Sequence, residues 1–289
     1  MADISAKDVK SLREQTGAGM MDCKKALTEA GGDLAKAVEV LRERGLAKAG
    51  KREGRATSEG VIAIALAGTN GGMVELGCET DFVARTDDFI ALGDKLAQAV
   101  AADGGPDSAE ALLDSTLDGE KVQDQIVAAI AKLGENVVLK RAARLAVPSG
   151  QVGGYVHAGG KLGVLVALAT DDSGDALGTL AKDIAMHVAA ADPSPVAVDR
   201  DGVASDLLDA EREIYKKQAL AEGKPEKILD KIVEGKINKF VSEIALVEQA
   251  FVKDPDKSVG DLLKAHGSPV NVSSFTRFKL GQGEEADSE

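Results

Sequence analysis

The sequence predicts an α+β fold, with a small helical module followed by two related subdomains that contain antiparallel sheets. Helical periodicity with capping residues fills the first 45 residues. Beyond them, strand-like apolar runs around glycine turns alternate with helical segments. The order of hairpin, helices and closing strand then occurs twice, which indicates two copies of one α+β arrangement.

The composition favours a soluble, cytoplasmic chain with an aliphatic core. Hydrophobic residues make up 44% of the 289 residues and aromatic residues only 3%. The formal net charge of −13 repels phosphate backbones, so no direct nucleic-acid partner is expected. No run approaches the roughly 18 to 20 apolar residues that cross a bilayer, so no membrane contact is expected either. The two cysteines, Cys23 and Cys78, are too few for a four-ligand zinc site and are predicted to be free thiols.

The first element is a three-helix module. Ser5 and Asp8 have the spacing of a capping box, and the first helix ends near Gly17. A pair of glycines stops the second helix, and Asp33 caps the third, which ends at Gly45. Because the module is small for independent stability, we expect another part of the chain or a partner to stabilise it. The module covers residues 1–45, with helices at about 5–17, 21–30 and 33–45.

A basic segment at residues 46–59 follows and has no apolar period, which predicts a linker. Gly45 to Lys51 has the GxxxxGK spacing of a phosphate-binding loop. However, Arg52 stands where a magnesium-binding hydroxyl belongs, and a helix rather than a strand precedes the segment. These departures disfavour a nucleotide site. A solvated connector is the preferred interpretation, and an RNA-binding stretch is the alternative.

The two subdomains follow the linker. Each begins with a hairpin around a glycine turn, continues with helices, and closes with strand-like sequence. The first subdomain covers residues 60–148, with strands at 60–67, 71–78 and 136–147 and helices from about 87 and through 122–133. The second covers residues 149–283, with strands at 155–158 and 162–169, a helix at about 177–190, and a closing strand pair within 270–280.

A helical hairpin is predicted as an insertion in the second subdomain at about residues 203–245, and an acidic tail at 284–289 ends the chain. Its two amphipathic helices are joined by the turn Gly223 to Pro225. Two interpretations of this hairpin remain open: it either mediates homodimerisation or is a solvent-exposed arm. The apolar positions of the second helix recur at nearly coiled-coil spacing: Leu229, Val233, Ile237, Phe240 and Ile244.

No pattern indicates catalysis. His157, His187 and His266 are far apart in sequence, and no ligand pair such as HxxxH exists. His187 is predicted to be a hydrogen-bonded structural residue, whereas His157 at a hairpin tip is a contact candidate. We therefore expect no catalytic residues, no metal site and no cofactor, and the sequence favours a protein-binding function over an enzyme.

Three apolar side chains have two open interpretations. Phe82, in the segment GCETDFVAR, either packs beneath the helix that begins near Asp87 or contacts another protein. In an extended chain adjacent residues face opposite sides, so Val83 would then face inward. Met20 and Met21 either fill the core of the helical module or form a flexible contact surface, and at least one is expected in the core.

Several segments together resemble a known family. Residues 12–27, LREQTGAGMMDCKKAL, and residues 75–85, ELGCETDFVAR, look like the signature segments of bacterial elongation factor Ts, the guanine-nucleotide exchange factor for elongation factor Tu. The resemblance continues in family order through nearly the whole chain, with KLGENV at 132–137, HAGGKLGVLVAL at 157–168, IAMHVAA at 184–190 and FTRFKLGQGE at 275–284.

The resemblance implies a fold, a partner and a site. The fold is a ubiquitin-associated-like (UBA-like) helical module, two related core subdomains and an inserted antiparallel coiled coil. The partner is elongation factor Tu in its GDP and nucleotide-free forms. The family's magnesium-dislocating TDFV segment corresponds here to Thr80, Asp81, Phe82 and Val83. Segments that contact the partner contain Lys24, Leu133, Gly134 and His157.

The implied function is to disrupt the Mg²⁺ and phosphate site of elongation factor Tu, so that GDP leaves and GTP binds. The alternative is a non-catalytic adaptor that uses the helical module and the coiled coil. Two departures from the family pattern bear on the site. The acidic tail stands where members often carry a further helix, so a contact made by that helix is expected to be missing. Gly77 stands where Asn is usual, which is expected to loosen the strand end.

Overall fold

A computed structural model describes residues 4–172 and 174–282, and it has the predicted α+β fold. The acidic tail at 284–289 lies outside the described residues. The helices are α1 (Ala6–Thr16), α2 (Met20–Glu29), α3 (Leu34–Gly50), α4 (Asp81–Ala84), α5 (Asp87–Ala101), α6 (Ala109–Asp114), α7 (Val122–Leu133), α8 (Asp175–Ala190), α9 (Ser205–Ala221), α10 (Glu226–Ile244) and α11 (Val259–Ala265). The strands are β1 (Glu59–Ala67), β2 (Asn70–Cys78), β3 (Thr116–Leu117), β4 (Glu120–Lys121), β5 (Val137–Ala146), β6 (Gly150–Val156), β7 (Leu162–Ala169), β8 (Ala250–Phe251), β9 (Asp254–Ser258) and β10 (Asn271–Lys279).

Helices α1, α2 and α3 form the N-terminal module around a small core of their own. Ser5 accepts the backbone N–H of Asp8 at the start of α1, and Asp33 accepts two backbone N–H groups at the start of α3, as the sequence predicted. Gly17 ends α1 in the left-handed conformation at φ 67°. The buried residues of this core are Val9, Leu12, Cys23, Ala26, Leu27 and Ala37.

The predicted end of α3 at Gly45 is wrong, because the helix continues to Gly50. The C-terminal part of α3 packs on the first subdomain: a Cβ added at Gly45 would lie 3.4 Å from the Cβ of Ala131 on α7, and Ala49 of the extra turn packs against the core of that subdomain. Tertiary packing thus extends the helix where the sequence offers no apolar period. The segment with phosphate-loop spacing is accordingly helical almost to its end.

Two three-stranded antiparallel sheets form the centre of the molecule. The first has the order β1-β2-β5, and the second has the order β10-β7-β6. In each sheet the second strand of a hairpin is central and the closing strand pairs beside it. The predicted strand pair within 270–280 is wrong: it is the single strand β10, which pairs with β7 and has a bulge between Val272 and Ser274.

The two sheets pack face to face. Alternate residues of a strand point to opposite faces, so Met73 of β2 and Leu165 of β7 contribute to a core shared between the sheets. Val74 points to the opposite face, toward α5 and α7, and Val166 points toward α8 and α11. The layers therefore run helices, sheet, sheet, helices.

Helices α9 and α10 pair as the predicted helical hairpin. All five residues predicted as its seam are buried or partly buried, and four of them share a core cluster with residues of α9 and with Ala197 and Val203. The base of the hairpin is joined to α8 through His187, which is 1% exposed. His187 Nε2 bonds to Gln249 Oε1 at 2.9 Å, and Nδ1 accepts the Val252 N–H at 3.3 Å. The prediction of a structural histidine is confirmed.

Both cysteines are free thiols, as predicted, and both are buried. Across the described ranges, none of the helices combines the length and the apolar character that a bilayer crossing requires.

Candidate functional site at one end of the first sheet

Three chain segments meet at one end of the first sheet because of its antiparallel register. Glu59 at the start of β1 pairs with Cys78 at the end of β2, and Cys78 pairs with Val137 at the start of β5. The TDFV segment leaves β2 at this end, and the Leu133-Gly134 segment enters β5 here. The fold therefore brings together residues about 50 positions apart in the chain.

The TDFV segment is a one-turn helix, α4, capped by Thr80. The premise that it continues as extended chain is wrong, because the Thr80 hydroxyl accepts the Val83 N–H at 3.4 Å and starts a helical turn. Phe82 projects into solvent with 81% of its surface exposed. Val83 is half-buried against the first core and Ala84 is buried, so the turn faces inward through these two residues. The interpretation of Phe82 as a core residue is thus excluded.

The carboxylate of Glu135 holds Thr80 at two atoms. Its Oε2 accepts the Thr80 backbone N–H at 2.9 Å, and its Oε1 accepts the Thr80 hydroxyl at 2.6 Å. Hydrogen bonds to an ionised acceptor are stronger than those between neutral groups. The pair ties the start of α4 to the segment between α7 and β5.

A second carboxylate makes the reciprocal contact. Glu79 Oε1 accepts the Asn136 backbone N–H at 2.7 Å, and the guanidinium groups of Arg52 and Arg55 lie 3.5 and 3.3 Å from the Glu79 carboxylate. The Asn136 N–H, more than the two arginines, holds the pKa of Glu79 below its usual value. Asn136 also donates through its side chain to the Arg55 carbonyl at 3.0 Å.

Leu133 and Gly134 position Glu135. Gly134 ends α7 at φ 79°, a left-handed conformation that glycine adopts without steric cost. Leu133 is half-buried against the first core, and Gly134 is exposed. The main chain at this turn is therefore open to solvent beside α4.

Asp81 of α4 and Cys78 at the end of β2 also have partners within the protein. Asp81 forms an ion pair with Arg85 at 2.9 Å, and 42% of the Asp81 side chain is exposed. The buried Cys78 thiol lies 3.2 Å from the Thr80 carbonyl. Burial, with a smaller contribution from the Glu135 charge, raises the pKa of Cys78 to about 11. Its thiol is thus unsuited to nucleophilic chemistry at neutral pH.

His157 lies in the turn between β6 and β7 and is exposed, as predicted. Its Nδ1 is 3.0 Å from the Tyr155 hydroxyl. The turn contacts β1, since Ile62 N–H donates to the Gly160 carbonyl at 2.6 Å and Lys161 pairs with Glu59 at 2.7 Å. Because Glu59 is in register with Cys78, His157 and α4 lie around the same end of the first sheet.

Lys24 lies on α2 and is exposed. The expectation that Met20 or Met21 fills the core is wrong, because these side chains are 58% and 63% exposed. They begin α2 three residues after Gly17, whose added Cβ would lie 3.1 Å from Cε of Lys132. The start of α2 is thereby placed next to the end of α7, close to the Leu133-Gly134 turn.

Gly77 is buried and paired with strands on both sides. A Cβ at this position would lie 2.6 Å from Cε of Lys140, whose ammonium donates to the Thr57 carbonyl at 2.6 Å. The glycine therefore makes room for the Lys140 side chain, and the geometry gives no loosening of the strand end.

Glu79, Glu135 and Asn136 are the site residues that the sequence interpretation missed. They lie inside the quoted segments ELGCETDFVAR and KLGENV, but in an acidic chain single carboxylates look like solvated surface groups. Over residues 4–172 and 174–282, no cluster of three or more His, Cys, Asp or Glu side chains could hold a metal ion.

Comparisons with known proteins identify the family. The family model described as Elongation factor TS matches residues 79–282. The chain is 50% identical to Elongation factor Ts of Chlorobium phaeobacteroides (strain BS1), over 97% of this chain and 100% of the relative. It is 47% identical to Elongation factor Ts of Clostridium perfringens (strain SM101 / Type A), over 99% and 96% of the two chains. It is also 47% identical to that of Clostridium botulinum (strain Eklund 17B / Type B), over 97% and 94%. The chain therefore belongs to the elongation factor Ts family and has the role of a translation elongation factor.

Proposed function

We propose that this protein binds elongation factor Tu in its GDP and nucleotide-free forms and accelerates GDP release. It acts in the cytoplasm as a nucleotide-exchange factor and carries out no covalent chemistry of its own. Phe82 supports this proposal most directly, because it has the largest exposed fraction, 81%, among the exposed large apolar side chains of the described residues.

Phe82 suits the task of deforming a nucleotide site. A phenylalanine buried at a protein interface contributes about 2 kcal/mol or more as an anchor. In the free factor the Phe82 ring is exposed, so this burial energy is gained only when the ring is buried against a partner. Each 1.4 kcal/mol used to distort the Mg²⁺ and phosphate contacts weakens nucleotide binding about tenfold. A few such contacts are enough for a large acceleration of release.

Asp81 lies beside Phe82 and is proposed to disturb the hydrogen bonds around the partner's magnesium. In the free protein its carboxylate is paired with Arg85 at 2.9 Å. To act on the partner by its charge, Asp81 has to exchange this exposed ion pair, which costs little because such pairs contribute only about 0.2–1 kcal/mol. Asp81→Asn retains the shape and removes the charge, so it separates the effect of the charge from the geometry of the turn.

Lys24, Leu133, Gly134 and His157 are proposed to form the surrounding contact surface. Their positions support this proposal, because the turn that contains His157 and the end of α7 lie at the end of the first sheet that carries α4. The start of α2 lies next to the end of α7. A partner seated on α4 would therefore be within reach of both core subdomains and of the helical module.

Thermodynamic linkage completes the cycle. If the factor weakens GDP binding by a given ratio, GDP weakens factor binding by the same ratio. GTP that rebinds then expels the factor, so the factor acts in catalytic amounts.

The test is release of fluorescent GDP from elongation factor Tu with catalytic amounts of the protein. Wild type should accelerate release, and Phe82→Ala should lower the factor-dependent rate about thirtyfold, which corresponds to about 2 kcal/mol. Leu66→Ala is the matched control. Leu66 is also an exposed apolar residue, at 49%, but lies at the opposite end of the β1–β2 hairpin.

An unchanged GDP-release rate with wild-type protein would contradict the exchange function and favour the adaptor alternative. Equal losses in Phe82→Ala and Leu66→Ala would contradict the assignment of the site to α4.

A further inference from the structure

We propose that Glu135 is a positioning residue that fixes the orientation of Phe82 for exchange. This inference rests on the proposed function and extends it, because it assigns a role to a carboxylate outside the TDFV segment.

Helix α4 is weak as an isolated helix. It has only four residues, and short helices pay a nucleation cost that few hydrogen bonds offset. Phe82 is 81% exposed, so packing of its own ring does not fix its direction. The direction of the ring is instead set by the backbone of the turn.

The backbone of the turn depends on Thr80. The Thr80 hydroxyl accepts the Val83 N–H at 3.4 Å while it donates to Glu135 Oε1 at 2.6 Å. Because the hydrogen of the hydroxyl points to Glu135, its lone pairs are directed elsewhere and can accept the Val83 N–H. The second bond, from Thr80 N–H to Oε2 at 2.9 Å, fixes the main chain at the same residue.

Glu135 is itself held in place. Gly134 ends α7 just before it, and Asn136 just after it donates to Glu79 at 2.7 Å. Glu79 and Glu135 therefore each accept a backbone N–H from the segment that carries the other. The two segments form one reciprocal unit joined to the first sheet at β2 and β5.

Two variants test the role. Glu135→Ala leaves the Thr80 N–H and hydroxyl without this acceptor, which is expected to lower the maximal GDP-release rate about tenfold. Glu135→Gln can accept the Thr80 N–H through its carbonyl and donate from its amide to the Thr80 hydroxyl. We expect it to keep the rate within about threefold of wild type, because it retains a hydrogen bond to both the backbone and the hydroxyl of Thr80.

The rate should be measured over a range of factor concentrations. Positioning predicts that Glu135→Ala lowers the maximal rate while the half-saturating concentration changes less than about threefold, because the rest of the contact surface is intact. The double variant Phe82→Ala/Glu135→Ala should be no slower than Phe82→Ala, because a residue that acts through Phe82 has nothing left to position. Glu110→Ala, an exposed carboxylate on α6, is the matched control for the charge change.

Amide hydrogen exchange provides a readout independent of GDP. Thr80 and Val83 amides should lose protection in Glu135→Ala and keep it in Glu135→Gln, with the melting temperature checked by circular dichroism. If Phe82→Ala is slow but Glu135→Ala matches wild type, the exchange function stands and the positioning role is overturned. Additive losses in the double variant, or no rescue by Gln, would also overturn it. If the wild-type protein does not accelerate GDP release from elongation factor Tu, both proposals are contradicted.

Discussion

Replacing Glu75 by alanine should lower the free energy of unfolding by about 3–5 kcal/mol, the range measured when one partner of a buried ion pair is removed. Glu75 lies in β2 and is 1% exposed. Its carboxylate accepts Arg141 Nε of β5 at 2.7 Å and also contacts Arg141 Nη2. Its other oxygen accepts the Gly281 backbone N–H at 3.1 Å, just beyond β10.

These contacts join the two sheets, which explains the size of the effect. Arg141 also donates to the Lys279 carbonyl at 2.9 Å, and its guanidinium lies 4.2 Å from the centre of the Phe278 ring. Glu75→Ala would leave the Arg141 charge without its carboxylate and the Gly281 N–H without an acceptor. Arg141 is 31% exposed, so water screens part of the loss and the lower half of the range is expected.

The assay is urea denaturation followed by circular dichroism, with Arg141→Ala and the double variant completing a cycle. Each single change leaves the other group unpaired, so the double variant should lose less stability than the two single losses combined. Hydrogen exchange should show increased opening at the end of β10. A loss below about 1 kcal/mol in Glu75→Ala, or additive losses in the cycle, would refute the idea that this pair couples the sheets.

Two further predictions concern buried titratable groups. Burial lowers the pKa of His187, so the unfolded chain takes up a proton near pH 6.5 while the folded chain does so only at lower pH. The contribution of neutral His187 to the free energy of unfolding should therefore be fully present well above about pH 6.5 and be lost as the pH falls below it. His187→Gln should remove this contribution to the pH dependence of the unfolding free energy, measured by denaturation at several pH values. Cys78, with its pKa raised to about 11, should react with a thiol reagent at neutral pH only on unfolding. Fast labelling of native Cys23→Ser, which leaves Cys78 as the sole thiol, would contradict this burial.

Local signals in the sequence predicted the elements well where the physics is local. Ser5 and Asp33 are helix caps because their side-chain oxygen atoms accept backbone N–H groups no more than three residues later in the chain. Such short separations can be recognised in the sequence alone. The turn after β1 and the turn at Gly159-Gly160 were predicted for the same reason, since glycine reaches backbone conformations that other residues avoid. The α+β fold followed from the repeated order of these elements.

The errors arose where distant residues decide the outcome. Helix α3 extends to Gly50 because residues of α7, about 80 positions later, pack against it. The TDFV segment turns helical at Thr80, whose hydroxyl is held by Glu135, 55 positions away. A single sequence gives no register between such segments. The family resemblance singled out Phe82 as a candidate site residue, but only the structure explains how its backbone is held.

The coupling of these long-range contacts bears on function. An anchor that moves freely loses binding energy to its own ordering, at about 0.5–1.5 kcal/mol for each immobilised side chain, and that energy is then not available to distort the partner. Phe82 has few contacts of its own, so rigidity has to reach it through Thr80, Glu135 and the start of β5. Glu75 on β2 and Arg141 on β5 couple these two strands to the second sheet. The hairpin turn of that sheet carries His157. The carboxylates of Glu75 and Glu135 therefore act as internal acceptors that keep separate parts of the proposed contact surface in a fixed arrangement, even though the chain as a whole carries an excess of negative charge.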